Sequence, residues 1–450
     1  MALSGIQIYK LLPKTNCKDC GFPTCLAFAM KLAAKQVELS RCPHVSDEAK
    51  AELAESAAPP IRLVSLSANG HEVKAGNEVV LFRHEKTFYN KPGLFIRVQD
   101  DQSTEEITDK LAEAASFNVN YVGIDLQLDG FVVESVVRDP ATFSSAVRTA
   151  SATAELPIIL MSPDPGIMQA GLEALDGRSA MLYAADAGNW EAMAKLAQEH
   201  EAALVVAADT LEELADLTEK IKAVGVEDLV LDPGIRQLGA SLALSTQLRR
   251  LALKNFRPLG FPLIAFPGDT SDETLEPVLA AQAIAKYAGF IVLDHFSPET
   301  AYALLVLREN IYTDPQKPIQ VQPGLYELND PTPDDPLLVT TNFSITYFSV
   351  ANEVEGAGLP AWLLVTDAEG MSVLTAWAAG NFDAERIAKD VKRFQVADKI
   401  NHQQVVIPGQ VAVISGELEE ELPGWDVRVG PREAVDLPAF MKQALQPVKA

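Results

Sequence analysis

All four cysteines of this 450-residue chain fall within residues 17–42, in the spacing Cys17-x2-Cys20-x4-Cys25-x16-Cys42, and Pro43 follows the last one. Four thiolates held together can ligate a 4Fe–4S cluster or a zinc ion. A structural zinc site more often has two Cys-x2-Cys pairs, whereas this chain has one such pair, a third cysteine and a distant Cys-Pro. The spacing therefore favours a 4Fe–4S cluster, with zinc and free core thiols as the alternatives.

A second candidate site lies near the end of the chain, where small and hydroxyl-bearing residues follow the predicted strands. These segments are Val339–Asn342, Val365–Val373, Ser415–Gly416 and Gly430–Ala434. In a parallel sheet, ligands bind beyond the carboxyl ends of the strands. Small residues let backbone amides approach a large flat ring, and hydroxyls can bond to its polar groups. The residues alone are compatible both with a cofactor cradle and with ordinary turns and helix caps.

The elements that must position these groups follow from hydrophobic periodicity. Residues 92–325 alternate short apolar runs with helix-period segments eight times, which predicts parallel strands closed into a (β/α)8 TIM barrel. The predicted strands are Leu94–Val98, Tyr121–Leu126, Pro157–Met161, Ala180–Ala184, Ala203–Ala207, Leu229–Leu231, Phe261–Phe266 and Phe290–Leu293. An open doubly wound sheet is the alternative, although no Gly-x-Gly-x-x-Gly turn follows the first run.

The predicted fold class is α/β with three folded parts, of which the barrel is the central one. Composition indicates the bounds of the segments before and after it. We expect a small iron–sulfur module over residues 1–58, a β-hairpin connector over 59–91, a flexible Pro/Asp-rich linker at 326–336 and a Rossmann-like α/β domain over 337–450. The strands of that last domain are predicted at Leu337–Val339, Trp362–Val365, Val411–Ile414 and Val427–Val429.

Charge and composition exclude several classes of function. The net charge of −25 disfavours binding to nucleic acid or to anionic membrane surfaces. No apolar run reaches the length of about 18 residues that spans a bilayer, and no signal-like segment opens the chain. A disulfide framework would spread its cysteines along the sequence, so we expect a protein of the reducing cytoplasm.

The segment from Asn16 to Ala29, together with Cys42-Pro43, resembles the N-terminal module of the large subunit of the corrinoid/iron–sulfur protein of the anaerobic acetyl-CoA pathway. The resemblance covers the whole chain in one order: cluster module, barrel, corrinoid-binding domain. It implies a 4Fe–4S cluster on Cys17, Cys20, Cys25 and Cys42, which makes zinc the weaker alternative.

The same resemblance implies a corrinoid on the last domain. The implied contacts are Thr340, Thr346, Gly370, Met371, Ser372, Val373 and Ala434, with Gly430 and Gly409 as further candidates. The Asp-x-His-x-x-Gly motif that supplies a histidine to cobalt in many corrinoid domains is absent, because Asp294-His295 lacks the spacing and His402 lacks the surroundings. The expected state is therefore base-off cobalt without a protein nitrogen ligand.

The family implies a methyl-group carrier that is one subunit of a transferase system. Corrinoid Co(I) accepts a methyl group from methyltetrahydrofolate through a methyltransferase and delivers it to acetyl-CoA synthase. The 4Fe–4S cluster reductively reactivates Co(II). The implied partners are a small corrinoid/iron–sulfur protein subunit as heterodimer partner, the methyltetrahydrofolate methyltransferase, acetyl-CoA synthase/CO dehydrogenase, and a low-potential electron donor such as ferredoxin.

Two alternatives stay open at this stage. Asp232-Pro233-Gly234 is similar to the Asp-Pro-Gly of pterin-binding barrels, so the barrel itself could bind methyl-pterin as a methyltransferase; the chain could also be a corrinoid-free iron–sulfur electron-transfer protein. An aspartate follows or closes each predicted barrel strand. These residues are Asp100, Asp125, Asp164, Asp186, Asp209, Asp232, Asp269 and Asp294. We interpret most of them as helix caps on the carboxyl rim.

Overall fold

The computed structural model describes residues 5–33, 37–46, 49–50, 53, 59–270, 272–314 and 319–444. The chain divides into two compact units. Unit one comprises Met1–Phe117 and Gln127–Tyr312, and unit two comprises Asn118–Leu126 and Thr313–Ala450. None of the helices in the described ranges has the length and apolar character needed to cross a membrane.

The cysteine-containing segment begins unit one with two short helices, α1 (Gly5–Leu11) and α2 (Cys25–Ala33), followed by a 3-10 turn over Leu39–Arg41. Ile8 of α1 and Phe28 of α2 are both buried in one small apolar core. The described part of α2 ends at Ala33, and residues 34–36 lie outside the described residues.

An antiparallel hairpin of β1 (Val64–Ala68) and β2 (His71–Ala75) follows. Asn69 and Gly70 form its turn with φ values of 45° and 91°, as expected where both central residues need positive φ. The second strand lies within the predicted β-hairpin connector over residues 59–91. Its side chains share one core with the barrel strands, and they lie near the amino ends of those strands.

Unit one is built around a closed barrel of eight parallel strands, as predicted. The strands are β3 (Gly93–Gln99), β6 (Gly130–Glu134), β7 (Ile158–Met161), β8 (Ala180–Ala185), β9 (Ala203–Ala207), β10 (Leu229–Asp232), β11 (Leu263–Ala265) and β12 (Ala288–Leu293). The helices are α3 (Thr104–Ser116), α4 (Pro140–Thr153), α5 (Pro165–Ala174), α6 (Trp190–Glu199), α7 (Leu211–Ala223), α8 (Leu238–Leu253), α9 (Glu276–Ala285) and α10 (Pro298–Tyr312).

The predicted barrel strand Tyr121–Leu126 is wrong. This segment forms a two-stranded hairpin, β4 (Asn118–Tyr121) with β5 (Ile124–Gln127), and most of it belongs to unit two. Val122 is buried there, and its carbonyl accepts a 3.1 Å hydrogen bond from the N–H of Gln322. The second barrel strand is β6, so Asp125 does not follow a barrel strand.

Unit two contains a five-stranded sheet in the order β13-β15-β14-β16-β17. Its strands are β13 (Gly324–Leu328), β14 (Leu337–Thr341), β15 (Ala361–Thr366), β16 (Gln404–Ile407) and β17 (Asp426–Val429), and its helices are α11 (Ser344–Gly356), α12 (Val373–Ala378), α13 (Ala384–Arg393), α14 (Ser415–Glu421) and α15 (Leu437–Ala444). The last four strands are parallel, and β13 is an antiparallel edge strand. Apolar cores cover both faces of the sheet.

Two predictions for this unit are corrected. The strand expected at Val411–Ile414 is a 3-10 helix, and the third parallel strand is β16. The segment 326–336 is part of the unit rather than a linker ahead of it. Its first residues belong to β13, and the Trp362 indole N–H donates a 2.9 Å hydrogen bond to the Thr332 carbonyl. Paired and hydrogen-bonded backbone of this kind is ordered, whatever its Pro and Asp content.

Candidate functional site

The cysteine segment is organised by a tightly curled loop. Lys14, Asn16, Lys18 and Gly21 all have positive φ values, between 51° and 82°. The Asn16 side-chain oxygen accepts a 2.8 Å hydrogen bond from the N–H of Cys25, which fixes the loop to the first residue of α2. Left-handed conformations are uncommon for residues other than glycine. Several of them in one short segment are typical of functional loops whose conformation is fixed by the surrounding structure.

The four thiols have unequal surroundings. Cys20, Cys25 and Cys42 are buried in the apolar core of the segment, whereas Cys17 is exposed, and all four are free. Because Cys20, Cys25 and Cys42 belong to one apolar core, a group bound to them would be shielded from water there, whereas Cys17 would bind it from the exposed surface. This donor set, sulfur from four cysteines, fits a 4Fe–4S cluster with one accessible edge.

A polar pair lies at the exposed edge. Asp19 Oδ2 is 2.6 Å from His44 Nε2, and one ligand atom each from Cys17, Asp19 and His44 lies within 4.8 Å of the others. Hydrogen bonds from His44 and then from Cys17 lower the pKa of Asp19. Sequence reasoning missed this pair, although Asp19 directly precedes Cys20 and His44 lies two residues after Cys42.

The second site is an open cleft at the carboxyl ends of the parallel strands of unit two. Five of the seven implied corrinoid contacts line it, on four different elements. They are Thr340, Thr346, Ser372, Val373 and Ala434, and Gly430 joins them. Gly370 and Met371 lie in the loop that leads into Ser372 and are not among the lining residues.

Thr340 is a lining residue of the cleft whose hydroxyl is unsatisfied. Its side chain is fully buried, yet its hydroxyl has no hydrogen-bond partner among the described residues. A buried hydroxyl left without a partner costs about 1–3 kcal/mol. The cleft also exposes three large apolar side chains, those of Ile345, Leu374 and Val435. Apolar walls with a few hydroxyls suit a large flat macrocycle that carries amide groups.

Gly409 has a structural role near the cleft. A Cβ at this position would lie 2.5 Å from the carbonyl oxygen of Gly430, so only glycine allows the loops after β16 and β17 to approach this closely. The N–H of Gly409 donates a 3.0 Å hydrogen bond to the Pro431 carbonyl. The loop that contains Gly430 is thereby held at the rim.

His402, the only histidine within residues 337–450, is unsuited to cobalt. It precedes β16 and therefore lies towards the amino end of that strand, whereas the cleft lies at the carboxyl end. Its Nε2 lies 2.8 Å from the Asp335 carbonyl oxygen, and its Nδ1 accepts from the N–H of Gln404 at 3.2 Å. Both ring nitrogens are therefore occupied.

On the barrel rim, Asp232 has no free hydrogen-bonding capacity. Its Oδ1 accepts from Gly234 N–H and Arg236 Nη1, both at 2.9 Å, and its Oδ2 accepts from the Tyr183 hydroxyl at 2.7 Å and Arg236 Nη2 at 2.8 Å. Burial and the neighbouring Asp232 carboxylate raise the pKa of Tyr183, which keeps its hydroxyl protonated. This carboxylate is not available to a pterin.

Arg97 continues this ion-pair network across the rim. It makes two 2.7 Å hydrogen bonds to Asp294 and a 2.8 Å contact to Asp269, which in turn accepts from Arg236 at 2.8 Å. The interpretation of most rim aspartates as helix caps is wrong: Asp164 caps α5, but the N-caps of α3, α6 and α7 are Ser103, Asn189 and Thr210. Sequence reasoning missed both arginines; the available signal was a lone arginine within the apolar run of β3.

Comparison with known proteins assigns the chain to a family. A family model described as CO dehydrogenase/acetyl-CoA synthase delta subunit matches residues 63–441, and an Fe-S cluster family model matches residues 12–44. The chain is 44% identical, over 99% of its length and 100% of the relative's, to a corrinoid/iron-sulfur protein large subunit of Moorella thermoacetica. The chain belongs to this large-subunit family. The resemblance predicted from the cysteine segment is thereby confirmed.

Archaeal members of the family are similar over the same span. Subunit gamma of the acetyl-CoA decarbonylase/synthase complex of Methanopyrus kandleri is 36% identical over 98% of both chains, and that of Methanosarcina acetivorans is 35% identical over 99% of both. Among solved structures, dihydropteroate synthase of Thermus thermophilus is 16% identical with a TM-score of 0.39, covering 56% of this chain and 100% of that one. Likeness at this level does not extend to a ligand.

Proposed function

We propose that this chain carries a methyl group on a corrinoid held in the unit-two cleft, between a methyltetrahydrofolate-dependent methyltransferase and acetyl-CoA synthase. The names of its relatives, corrinoid/iron-sulfur protein and acetyl-CoA decarbonylase/synthase subunit gamma, support this role. The observation that carries the proposal is the convergence of five implied corrinoid contacts, from four different elements, on one cleft at the carboxyl ends of parallel strands. When bound, the corrinoid supplies a cobalt atom that accepts and releases a methyl group.

The lining residues bind and orient the corrinoid. Hydroxyls of Thr340, Thr346 and Ser372 would bond to its polar side chains, and Ala434 would let the ring approach the backbone closely. The loop through Gly370 and Met371 supports Ser372 and Val373. The cleft has no imidazole among its described lining residues, so these groups leave the cobalt without a protein nitrogen.

The cysteines Cys17, Cys20, Cys25 and Cys42 would hold a 4Fe–4S cluster, whose low-potential electrons return oxidised cobalt to its active state. Burial keeps three of these sulfurs away from water. The exposed Cys17 marks the edge by which electrons enter. Two exposed lysines, Lys14 and Lys18, flank it, and residues 12–44 contain five basic and two acidic residues in a chain of net charge −25. An acidic low-potential donor such as a ferredoxin fits this edge.

The barrel has a structural role in this proposal. Both oxygens of the Asp232 carboxylate already accept hydrogen bonds, which disfavours the alternative in which the barrel binds methyl-pterin. The cleft of unit two disfavours the alternative of a corrinoid-free electron-transfer protein, because such a protein would have no use for a ligand-binding site there. Family membership implies partner subunits. We place among them a small corrinoid/iron–sulfur protein subunit, the methyltransferase, and acetyl-CoA synthase/CO dehydrogenase, all in the cytoplasm.

The test is the metal content and visible spectrum of the full chain purified without oxygen. We expect about four iron atoms and one cobalt atom per chain, with corrinoid absorption that the cysteine variants retain. Zinc in place of iron, or iron without cobalt after growth with a corrinoid supply, would contradict the proposal.

A further inference from the structure

Asn342 is the residue directly after β14, and its side chain is almost completely buried. Its Oδ1 accepts hydrogen bonds from the N–H groups of Ala368 and Gly370, both at 2.9 Å. Its Nδ2 donates to Gln320 Oε1 and Asp367 Oδ1, both at 3.3 Å. The Asn342 side chain thus accepts two hydrogen bonds and donates two, and it joins the end of β14 to Gln320 and to the loop that begins at Asp367.

The loop that Asn342 holds, residues 367–372, has a constrained shape. Glu369 and Gly370 have φ values of 55° and 70°, and the N–H of Met371 donates a 3.1 Å hydrogen bond back to the Ala368 carbonyl. A Cβ at Gly370 would lie 2.6 Å from the Gln320 side chain, so glycine is required there. The loop ends at Ser372, the N-cap of α12.

The chemistry at position 342 favours an amide over any other side chain. Two converging backbone N–H groups require an acceptor, and a carboxylate oxygen of Asp367 on the other side requires a donor. An aspartate could accept both N–H bonds but would place its second oxygen against Asp367. A serine would be too short to reach both partners. Without the acceptor, two backbone N–H groups would lose their partners beside the cleft.

We propose that Asn342 is a positioning residue for the corrinoid, a role that rests on the proposed function of the cleft. It does not line the cleft. It fixes the loop so that Ser372 and Val373, which do line the cleft, reach the ligand. The loop leads to four of the seven implied contacts, from Gly370 to Val373, so one buried amide determines whether they act together.

The test measures the affinity of the full chain, prepared without corrinoid, for added cob(II)alamin. We expect Asn342→Ala to raise the Kd about tenfold, because binding must then bear the free-energy cost of fixing a loop that Asn342 holds in place in the wild-type chain. Asn329→Ala is the matched control. That side chain donates to the carbonyls of Val354, Glu355 and Leu359 in the same unit, outside the loop. Its loss should leave the Kd unchanged.

A conservative pair of variants separates positioning from general destabilisation. Asn342→Asp keeps the acceptor and opposes Asp367, so it should weaken binding less than the alanine variant. Adding Asp367→Asn removes the repulsion and should recover affinity towards the wild-type value. Equal affinity of Asn342→Ala and wild type, or no recovery in the double variant, would overturn the positioning role. Failure of the wild-type chain itself to bind cob(II)alamin would instead overturn the proposed function on which that role rests.

Discussion

Arg236 and Asp232 form a two-pronged ion pair on the barrel rim, with Nη1–Oδ1 and Nη2–Oδ2 distances of 2.9 and 2.8 Å. Asp232 is 1% exposed, and the Tyr183 hydroxyl donates to the same carboxylate. Asp232 begins the Asp-Pro-Gly segment that suggested a pterin site in the barrel. Arg236 and Tyr183 of the same chain already donate hydrogen bonds to both oxygens of its carboxylate, so the rim is a structural network.

Replacing Arg236 with alanine should therefore destabilise the barrel by about 3 kcal/mol, because it leaves a buried carboxylate without its cation. Urea unfolding of the full chain, followed by circular dichroism, measures this. Arg428→Ala is the control, since Arg428 and its partner Asp426 are both about half exposed, and such a pair contributes about 0–1 kcal/mol. Measurable binding of methyltetrahydropterin by the wild-type chain would contradict a purely structural rim.

Thr340→Val should have opposite effects on stability and on ligand binding. In the corrinoid-free chain it removes a buried hydroxyl that has no partner, so the free energy of unfolding should rise by about 1 kcal/mol. Corrinoid affinity should fall about tenfold, because the hydroxyl is lost as a ligand contact.

Thr341→Val provides the matched control for this variant. Thr341 is also fully buried with an unpartnered hydroxyl, but it is not among the residues that line the cleft. It should gain stability in the same way and leave corrinoid binding unchanged. Equal corrinoid affinity in both variants would remove Thr340 from the binding site.

Reversing charge at the exposed cluster edge should slow electron entry. The double variant Lys14→Glu, Lys18→Glu replaces two exposed cations beside Cys17, so we expect about a tenfold slower reduction of the cluster by an acidic ferredoxin at low ionic strength. The difference should shrink as salt screens the charges. Stopped-flow absorbance measures both rates.

The control for that charge reversal is Lys195→Glu with Lys254→Glu, which changes the net charge equally on exposed barrel residues. It should leave the rate near the wild-type value. A rate loss of the same size in both double variants would point to net charge alone rather than to a docking edge at Cys17.

The sequence predicted the repeating architecture well, because buried parallel strands need continuous apolar runs and the helices between them need polar faces. Seven of the eight predicted barrel strands overlap observed ones. The eighth, Tyr121–Leu126, has a strand-like composition, but it forms the two-stranded hairpin of β4 and β5 rather than a barrel strand. Its packing partners near Gln322 are about 200 residues away in sequence. Long-range packing of this kind leaves no local signal.

The sites were predictable to different degrees. The cysteine spacing is itself the chemical signal, so the candidate metal ligands could be named from sequence. Five implied corrinoid contacts converge on one cleft. Asn342 ends a segment that the sequence singled out, Val339–Asn342, but its hydrogen bonds were not predictable, because their partners lie in a loop 25 to 28 residues away. The 326–336 segment was misjudged because prolines and aspartates are equally common in ordered turns.

The central claim is that a cluster on the cysteine segment reactivates cobalt held in the unit-two cleft, and Cys20→Ala tests it most directly. The full-length variant, loaded with corrinoid and oxidised, is offered electrons from reduced ferredoxin while its visible spectrum is followed. We expect iron to be lost, corrinoid to be retained, and cobalt reduction to fall to the rate of ferredoxin acting without a cluster, while a small artificial reductant still works. Reduction by ferredoxin at the wild-type rate would contradict the account.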